Sequence, residues 1–283
     1  MVGDKKTLAV ILNYNSYEDS MKCAMLLKQQ TYKNLIIAII DNRSTDNSEE
    51  MLTTFCKEQD VLFVQSGTNK GFSAGNNVGL RKATELGCKY GLVINPDVEI
   101  KDKDYVAKAV AKMDSDKNIA VLGSDVINMQ QKHQNPMREL NFFENTFWFV
   151  MLVISKIVKK DIYVGDYKKS GYVHKVSGCC FFVDMEYMEK DNYLDDNVFL
   201  YCEEPILAAR VKKSGKKEYY YSDIKAYHMH KASEKGNVAK NLERFYDSRI
   251  YYIEKYRYGG IIKKIVTASI KLQKKVMVKK NSK

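Results

Sequence analysis

Absences narrow this chain first. None of its six cysteines (Cys23, Cys56, Cys88, Cys179, Cys180, Cys202) falls in a CxxC pair. Their apolar surroundings predict reduced core thiols of a cytosolic protein. The basic-then-apolar pattern of a signal peptide is missing, because Lys5 and Lys6 lead straight into a short apolar run. The longest apolar run, residues 147–154, is far below the roughly 20 residues a spanning helix needs. A chain that does not cross a membrane is expected. From residue 259 to 283 there is no acidic residue against eight lysines, so of the net charge of +11 only +3 belongs to everything before. Basicity is a property of the tail, and no nucleic-acid partner is expected. There is no internal repeat and no low-complexity segment.

What is present suits a globular protein. With 283 residues, 45% hydrophobic and 29% charged, one large domain with an appendage is expected. Strand-like apolar runs at 7–12, 35–40, 61–64, 90–94 and 119–122 alternate with helix-period segments near 16–30, 46–59, 73–87 and 102–114. Ser16 with Asp19 reads as a capping box, and Asp46 with Glu49 as a second. This alternation predicts an α/β fold of βαβ units, with right-handed crossovers and a mostly parallel sheet flanked by helices. Ligands bind such sheets at the carboxyl ends of the strands.

Residues 141–160 are rich in Phe and hold the only tryptophan, Trp148. An amphipathic helix or lid over the sheet is expected there. Further on, 172–183 reads as strand, 205–214 as helix, 216–221 as strand, and 237–257 and 260–280 as helices. The domain expectation is a main domain over 1–235 and a basic amphipathic helical extension over 236–283.

Four successive strand ends carry polar, turn-forming residues. Asn13-Tyr14-Asn15 follows the first run. Asp41-Asn42-Arg43-Ser44 follows the second; the Asp41 carboxylate there suits the imide hydrogen of a pyrimidine, with Asn42 and Ser44 adding hydrogen bonds. The same residues also make an ordinary turn and helix cap. Asn69-Lys70-Gly71-Phe72-Ser73-Ala74-Gly75-Asn76-Asn77 follows the third and opens a helix. Its glycines allow close backbone approach to a diphosphate, and Lys70 neutralises charge. Its spacing and place differ from the dinucleotide fingerprint. Asn95-Pro96-Asp97 follows the fourth, where Asp97 suits Mg²⁺ or Mn²⁺ with His228 completing the site. His228 and His230, two apart on a strand, point oppositely, so at most one faces it. Glu203-Glu204-Pro205 opens a helix, with Glu204 expected at the N-cap and able to serve as a general base.

Taken in order, these residues, with Ser177-Gly178, Phe199-Leu200-Tyr201-Cys202-Glu203-Glu204, His228 five residues before Ser233, and Tyr246 with Arg249 ahead of Lys255-Tyr256, resemble the family 2 glycosyltransferases of the GT-A fold. The likeness is strongest to the rhamnosyltransferase-like branch and covers roughly residues 7–258. It implies an inverting glycosyltransferase that moves a sugar, with rhamnose a candidate, from a UDP- or dTDP-sugar onto a hydroxyl of a glycan or lipid-linked glycan acceptor, in cell-surface polysaccharide synthesis. It places Glu204 as catalytic base, with Glu203 beside it. Asn13, Asn15, Asp41, Asn42, Ser44, Asn69, Lys70, Gly71, Asn76 and Asn95 would bind the nucleotide-sugar. Ser177, Gly178 and Arg249 would bind acceptor, and Asp97 with His228 the Mg²⁺ or Mn²⁺. The chain departs from the family pattern in having Glu-Glu where Glu-Asp is usual, and Ile206 where the branch tends to have an acid.

In the tail, Ile261, Ile262, Ile265, Val266, Ala268, Ile270, Leu272, Val276 and Met277 interleave with lysines. On a helix the two sets largely separate, which predicts docking on an anionic membrane surface. The localisation expected is cytoplasmic, peripheral on the inner face of the membrane; a helix packed on the main domain with a solvated lysine face is the alternative. A nucleotidyltransferase would carry its Gly-rich signature after the first strand, where this chain has Asn13-Tyr14-Asn15. A non-catalytic nucleotide-sugar binder is the other rival.

Overall fold

The computed structural model describes residues 5–147, 150, 163–229 and 238–281. Trp148, His230, Ser233 and residues 151–160 of the Phe-rich stretch, with most of the expected lid, lie outside the described residues.

The first half follows the expected alternation: β1 (Thr7–Asn13), α1 (Tyr17–Lys28), β2 (Leu35–Asp41), α2 (Ser48–Gln59), β3 (Leu62–Gln65), α3 (Phe72–Glu85), β4 (Tyr90–Ile94), the short β5 (Val98–Glu99), α4 (Tyr105–Ser115) and β6 (Ile119–Asn128). The second half runs α5 (Phe142–Thr146), β7 (Gly171–Val173), β8 (Cys180–Asp184), α6 (Met185–Lys190), α7 (Glu203–Lys213), β9 (Lys217–His228), α8 (Val238–Tyr252) with a π-turn at Ile253–Arg257, and α9 (Gly260–Asn281).

These strands form one sheet in the order β3-β2-β1-β4-β8-β6-β9-β5, with β7 on β9. The β1–β2, β1–β4, β2–β3 and β6–β9 pairs are parallel; β8 runs antiparallel to β4 and β6, and β5 and β7 antiparallel to β9. The mixed α/β architecture with a mostly parallel sheet is therefore as expected. Because successive strand side chains alternate faces, each central strand feeds two cores. Ala9, Ile11, Ile39 and Leu92 pack with α1, α2 and α4, whereas Leu8, Val10, Ile40 and Val93 pack with α3, α6 and α7. Each fully buried Leu, Ile or Val among them contributes about 1.5–3 kcal/mol. α3 sits unusually close to β1: a Cβ on Gly79 would lie 2.3 Å from Val10 Cγ1.

Several local expectations are corrected. Ser16 precedes α1 but makes no capping bond; its hydroxyl donates to Asn13 Oδ1 at 3.3 Å. α2 is capped at Asn47 without a side-chain bond, Asp46 Oδ1 accepting instead from Ser48 N. The run 172–183 divides into β7 and β8, because its middle leaves the sheet: Val176 N donates to the Glu218 side chain and Ser177 N to Asn135. β9 is twice the expected length, since it has partners along its whole course in β6, β7 and β5. Glu204 is not at an N-cap; α7 begins at Glu203, capped by Cys202 in the left-handed region (φ 65°). The six cysteines are free and all but Cys202 are buried. No helix among the described residues is long and apolar enough to cross a membrane.

The C-terminal helices share a third core with the main sheet unit. Val198 and Ile206 pack there with Tyr246, Tyr252, Ile253, Val266 and Ile270. A polar tie reinforces it: the Asp195 carboxylate accepts from Tyr251 and Tyr256 hydroxyls and from Lys255. Burial opposes this charge, but the hydrogen bonds prevail and hold Asp195 below the usual carboxylate range.

Candidate active site

The carboxyl ends of β1, β2 and β4 lie side by side, and the polar loops after β1, β2 and β3 are hydrogen-bonded into one edge. Asn13 and Asp41 are register partners, and Asn13 Nδ2 donates to Asp41 Oδ1 at 2.8 Å. Ser44 closes the loop, its amide donating to Asp41 Oδ2 (3.1 Å) and its hydroxyl to Oδ1 (2.5 Å). Asn15 N donates to Ser44 Oγ, tying the first loop to the second. Asp41 and Asn13 are fully buried, so the carboxylate acts through the loop it orders, and Ser44 and Asn15 are the groups it presents. Asn42 does the same for the third loop: its Nδ2 contacts Asn69 Oδ1 and Gly71 O, while Asn69 Oδ1 also accepts from Gly71 N. Lys70 is exposed at this loop. Asn76 is fully buried and donates to Phe72 O, which stitches the first turn of α3 rather than facing the cleft.

Gly71 has φ +100°, and a Cβ there would lie 2.0 Å from Phe199 O. The next amide, Phe72 N, donates to that same carbonyl at 2.9 Å. Glycine alone permits this contact. It joins the third loop to the segment leading into Glu203 and Glu204.

Beside this edge lies a cavity of about 500 Å³ lined by Asn95, Ser177, Gly178, Glu203, Glu204, His228 and Arg249. Seven residues singled out from the sequence therefore share one space. Beside Phe72 and Tyr201 of the quoted motifs, its wall includes Tyr163, His174, Lys175, Phe245 and Tyr252, which sequence reasoning missed. Aromatic and basic residues scattered from position 163 to 252 carry no spacing signal, so nothing in the sequence gathers them. Glu204 Oε1 accepts from Gly178 N at 3.3 Å. Glu203 keeps one carboxylate oxygen buried without a hydrogen bond; burial, then the charge of Glu204, pushes its pKa up to about 8. Behind it, Glu218 is buried on β9, accepts from Val176 N and is likewise pushed up to about 8 by burial. Arg249 is buried, donates to Asn145 O at 3.1 Å, and loses basicity through burial.

Asp97 and His228 meet through the β5–β9 ladder, where Val98 pairs with His228 and Met229 N donates to Asp97 O. Asp97 Oδ2 lies 3.4 Å from His228 Nε2. His228 Nδ1 faces Gln134 Oε1 at 2.9 Å. A proton on Nδ1 makes this bond to the amide oxygen, which turns Nε2 toward the Asp97 carboxylate. One carboxylate and one imidazole nitrogen fit a divalent ion that takes its remaining ligands from phosphate oxygens and water. No cluster of three or more such ligands occurs among the described residues.

Known proteins share this fold. The chain is 25% identical over 205 residues to the low-salt glycan biosynthesis hexosyltransferase Agl10 of Haloferax volcanii, covering 72% of this chain and 61% of that protein. It is 29% identical over 126 residues to the uncharacterized glycosyltransferase YibD of Escherichia coli, covering 44% and 36%. It thus spans less than two thirds of either relative. Among solved structures, the mannosyltransferase PcManGT of Pyrobaculum calidifontis, in complex with GDP-Man and Mn²⁺, superposes with a TM-score of 0.61 at 13% identity, over 95% of this chain and 69% of that one. S. aureus TarS 1–349 with UDP-GlcNAc gives 0.62 at 15% identity, over 94% and 71%. These likenesses establish the GT-A fold. The family described as glycosyl transferase family 2 matches residues 9–190, and the chain belongs to that family.

Proposed function

We propose that the chain is an inverting glycosyltransferase that moves a sugar from a UDP- or dTDP-sugar onto a hydroxyl of a glycan or lipid-linked acceptor, with Glu204 as base. The supporting observation is the cavity shared by Glu204, His228, Arg249 and Phe72, with Asp97 against His228 at its border and the Gly71 loop joined to it through Phe199. A relative named as a hexosyltransferase and neighbours solved with nucleotide-sugars favour this reading over a nucleotidyltransferase. The rhamnosyltransferase-like branch, and rhamnose as the sugar, rest on the motif resemblance.

Asp97 and His228 would hold Mg²⁺ or Mn²⁺, which supplies Lewis-acid stabilisation of the departing diphosphate. The chain's own residues do the rest. Ser44 and Asn15, oriented by the buried Asp41, line the donor edge, Asn42 holds the third loop beside them, and Lys70 offsets phosphate charge. The Gly178 amide orients Glu204, which takes the acceptor proton as its oxygen attacks the anomeric carbon. Glu203, protonated near neutral pH, has no room for that proton, which leaves Glu204 as the base. Aromatic walls at Phe72, Tyr201, Phe245 and Tyr252 suit a sugar face, with Ser177 and Arg249 on the acceptor side.

The test is donor hydrolysis and transfer across UDP-, dTDP- and GDP-sugars, with and without Mn²⁺. Metal-dependent sugar release that Glu204→Gln abolishes, with donor affinity within about twofold of wild type, supports the reading. Equal turnover by Glu204→Gln rejects the base, and thermal shifts by no nucleotide-sugar reject the enzyme.

A further inference from the structure

The apolar residues of α9 do not form one face. Val266 and Ile270 are buried against α8 in the third core, with Met277 packed beside them. Ile261, Ile265, Leu272 and Val276 stand outside it, at 68%, 47%, 64% and 57% exposure. Their spacing of i, i+4, i+11 and i+15 puts them on one stripe of the helix. The stripe is thus a second apolar surface, not required for packing the helix onto the domain.

Two things border it. On one side Ser269 Oγ and Gln273 Nε2 both donate to Thr146 O, which sets the end of α5 next to the stripe. Phe143, Phe147 and Val150 are exposed on that segment. On the other side are lysines. Lys271 pairs with Glu254, and Lys274 with Asp247, whereas Lys264, Lys275 and Lys279 are exposed along the border. Lys271, Lys274, Lys275 and Lys279 also line a shallow open groove on this helix. The tail has no acidic residue to neutralise them.

We infer that this stripe and its lysine border are a docking surface for an anionic phospholipid bilayer, with Ile261, Ile265, Leu272 and Val276 entering the interface and Lys264, Lys275 and Lys279 meeting the headgroups. Charge complementarity selects that occupant. A second copy of this chain would bring equally basic helices together across an interface with nothing to offset them, whereas an anionic surface gains about fivefold in affinity per lysine. α8, against which α9 packs, also contributes Phe245, Arg249 and Tyr252 to the cavity wall. Docking would therefore hold that wall near lipid, where a lipid-linked acceptor resides.

The experiment is flotation of the full chain with vesicles of phosphatidylcholine alone or with 30% phosphatidylglycerol. Flotation is expected only with the anionic vesicles, weakened by 0.5 M salt. L272Q/V276Q and K264E/K275E should each reduce it at least tenfold, while melting temperature and donor hydrolysis in solution stay unchanged. Equal flotation of wild type and both variants, or none with the anionic vesicles, would overturn the inference. So would a concentration-dependent dimer in sedimentation velocity that L272Q/V276Q disperses. Donor hydrolysis is measured without lipid, so failure here leaves the proposed activity standing, and loss of that activity leaves the flotation result readable.

Discussion

Gly71 and Phe199 touch backbone to backbone: Phe199 O occupies the space where any other residue at position 71 would carry its Cβ, and accepts from Phe72 N. Two loops 128 positions apart thereby become one wall. Gly71→Ala adds both this collision and a positive φ, together about 3 kcal/mol or more. Calorimetry should record a fall of about 6 °C or more in melting temperature, with weaker UDP binding. Gly67 also has positive φ (77°) but open space around it. Gly67→Ala should therefore cost only about 1 kcal/mol; equal losses in both variants would refute the clash argument.

The Asp97–His228 pair should respond to a residue that touches no substrate. Gln134 holds His228 Nδ1, and such partners tune metal affinity about 10–100-fold. Gln134→Leu should raise the Mn²⁺ concentration needed for donor binding by that factor. Asp97→Ala should remove the metal-dependent part altogether. Both are read by titrating Mn²⁺ against UDP binding, and an unchanged Mn²⁺ midpoint in Gln134→Leu would count against the site.

Glu203 and Glu204 should separate by substitution. Glu203→Gln copies the neutral form that burial already enforces near pH 7, so activity should stay within about threefold. In wild type, activity should fall as pH rises through about 8, where Glu203 ionises beside Glu204. Glu203→Gln should lose that fall in a pH–rate profile.

Glu218 predicts a stability effect. Its folded pKa of about 8 lies above the ordinary value near 4.5, so the folded state binds the proton more tightly than the unfolded chain. The contribution is full below about pH 4.5 and is lost as pH rises through 8. Glu218→Gln should therefore melt close to wild type below about pH 4.5 and progressively above it as pH rises toward 8. Parallel melting curves across this range would show that Glu218 is not protonated.

Reading from the sequence went furthest where the signal is local. Leu8–Ile11, Ile37–Ile40 and Leu92–Ile94 are apolar at every position because both faces of a parallel sheet are covered, so the strands and the polar loops after them were legible. Cys202 and Tyr201 were not: both adopt positive φ (65° and 74°) without being glycine, which moved the start of α7 ahead of the expected N-cap. Glu218 on β9 and Asn135 in the connection after β6, which draw the chain out of the sheet between β7 and β8, are side-chain anchors distant in sequence. The apolar set on α9 was visible, but its division into a packed face and an exposed stripe depends on where α8 and α5 lie.

The order of strands and helices, and the placement of polar residues at strand ends, were determined by the sequence alone, because periodicity and turn chemistry act over a few residues. Only the tertiary structure decided that Asp97 meets His228, that the Glu203 carboxyl is buried and that Gly71 carries Phe199. Those depend on strand pairing and burial among residues more than a hundred positions apart, which no local pattern encodes.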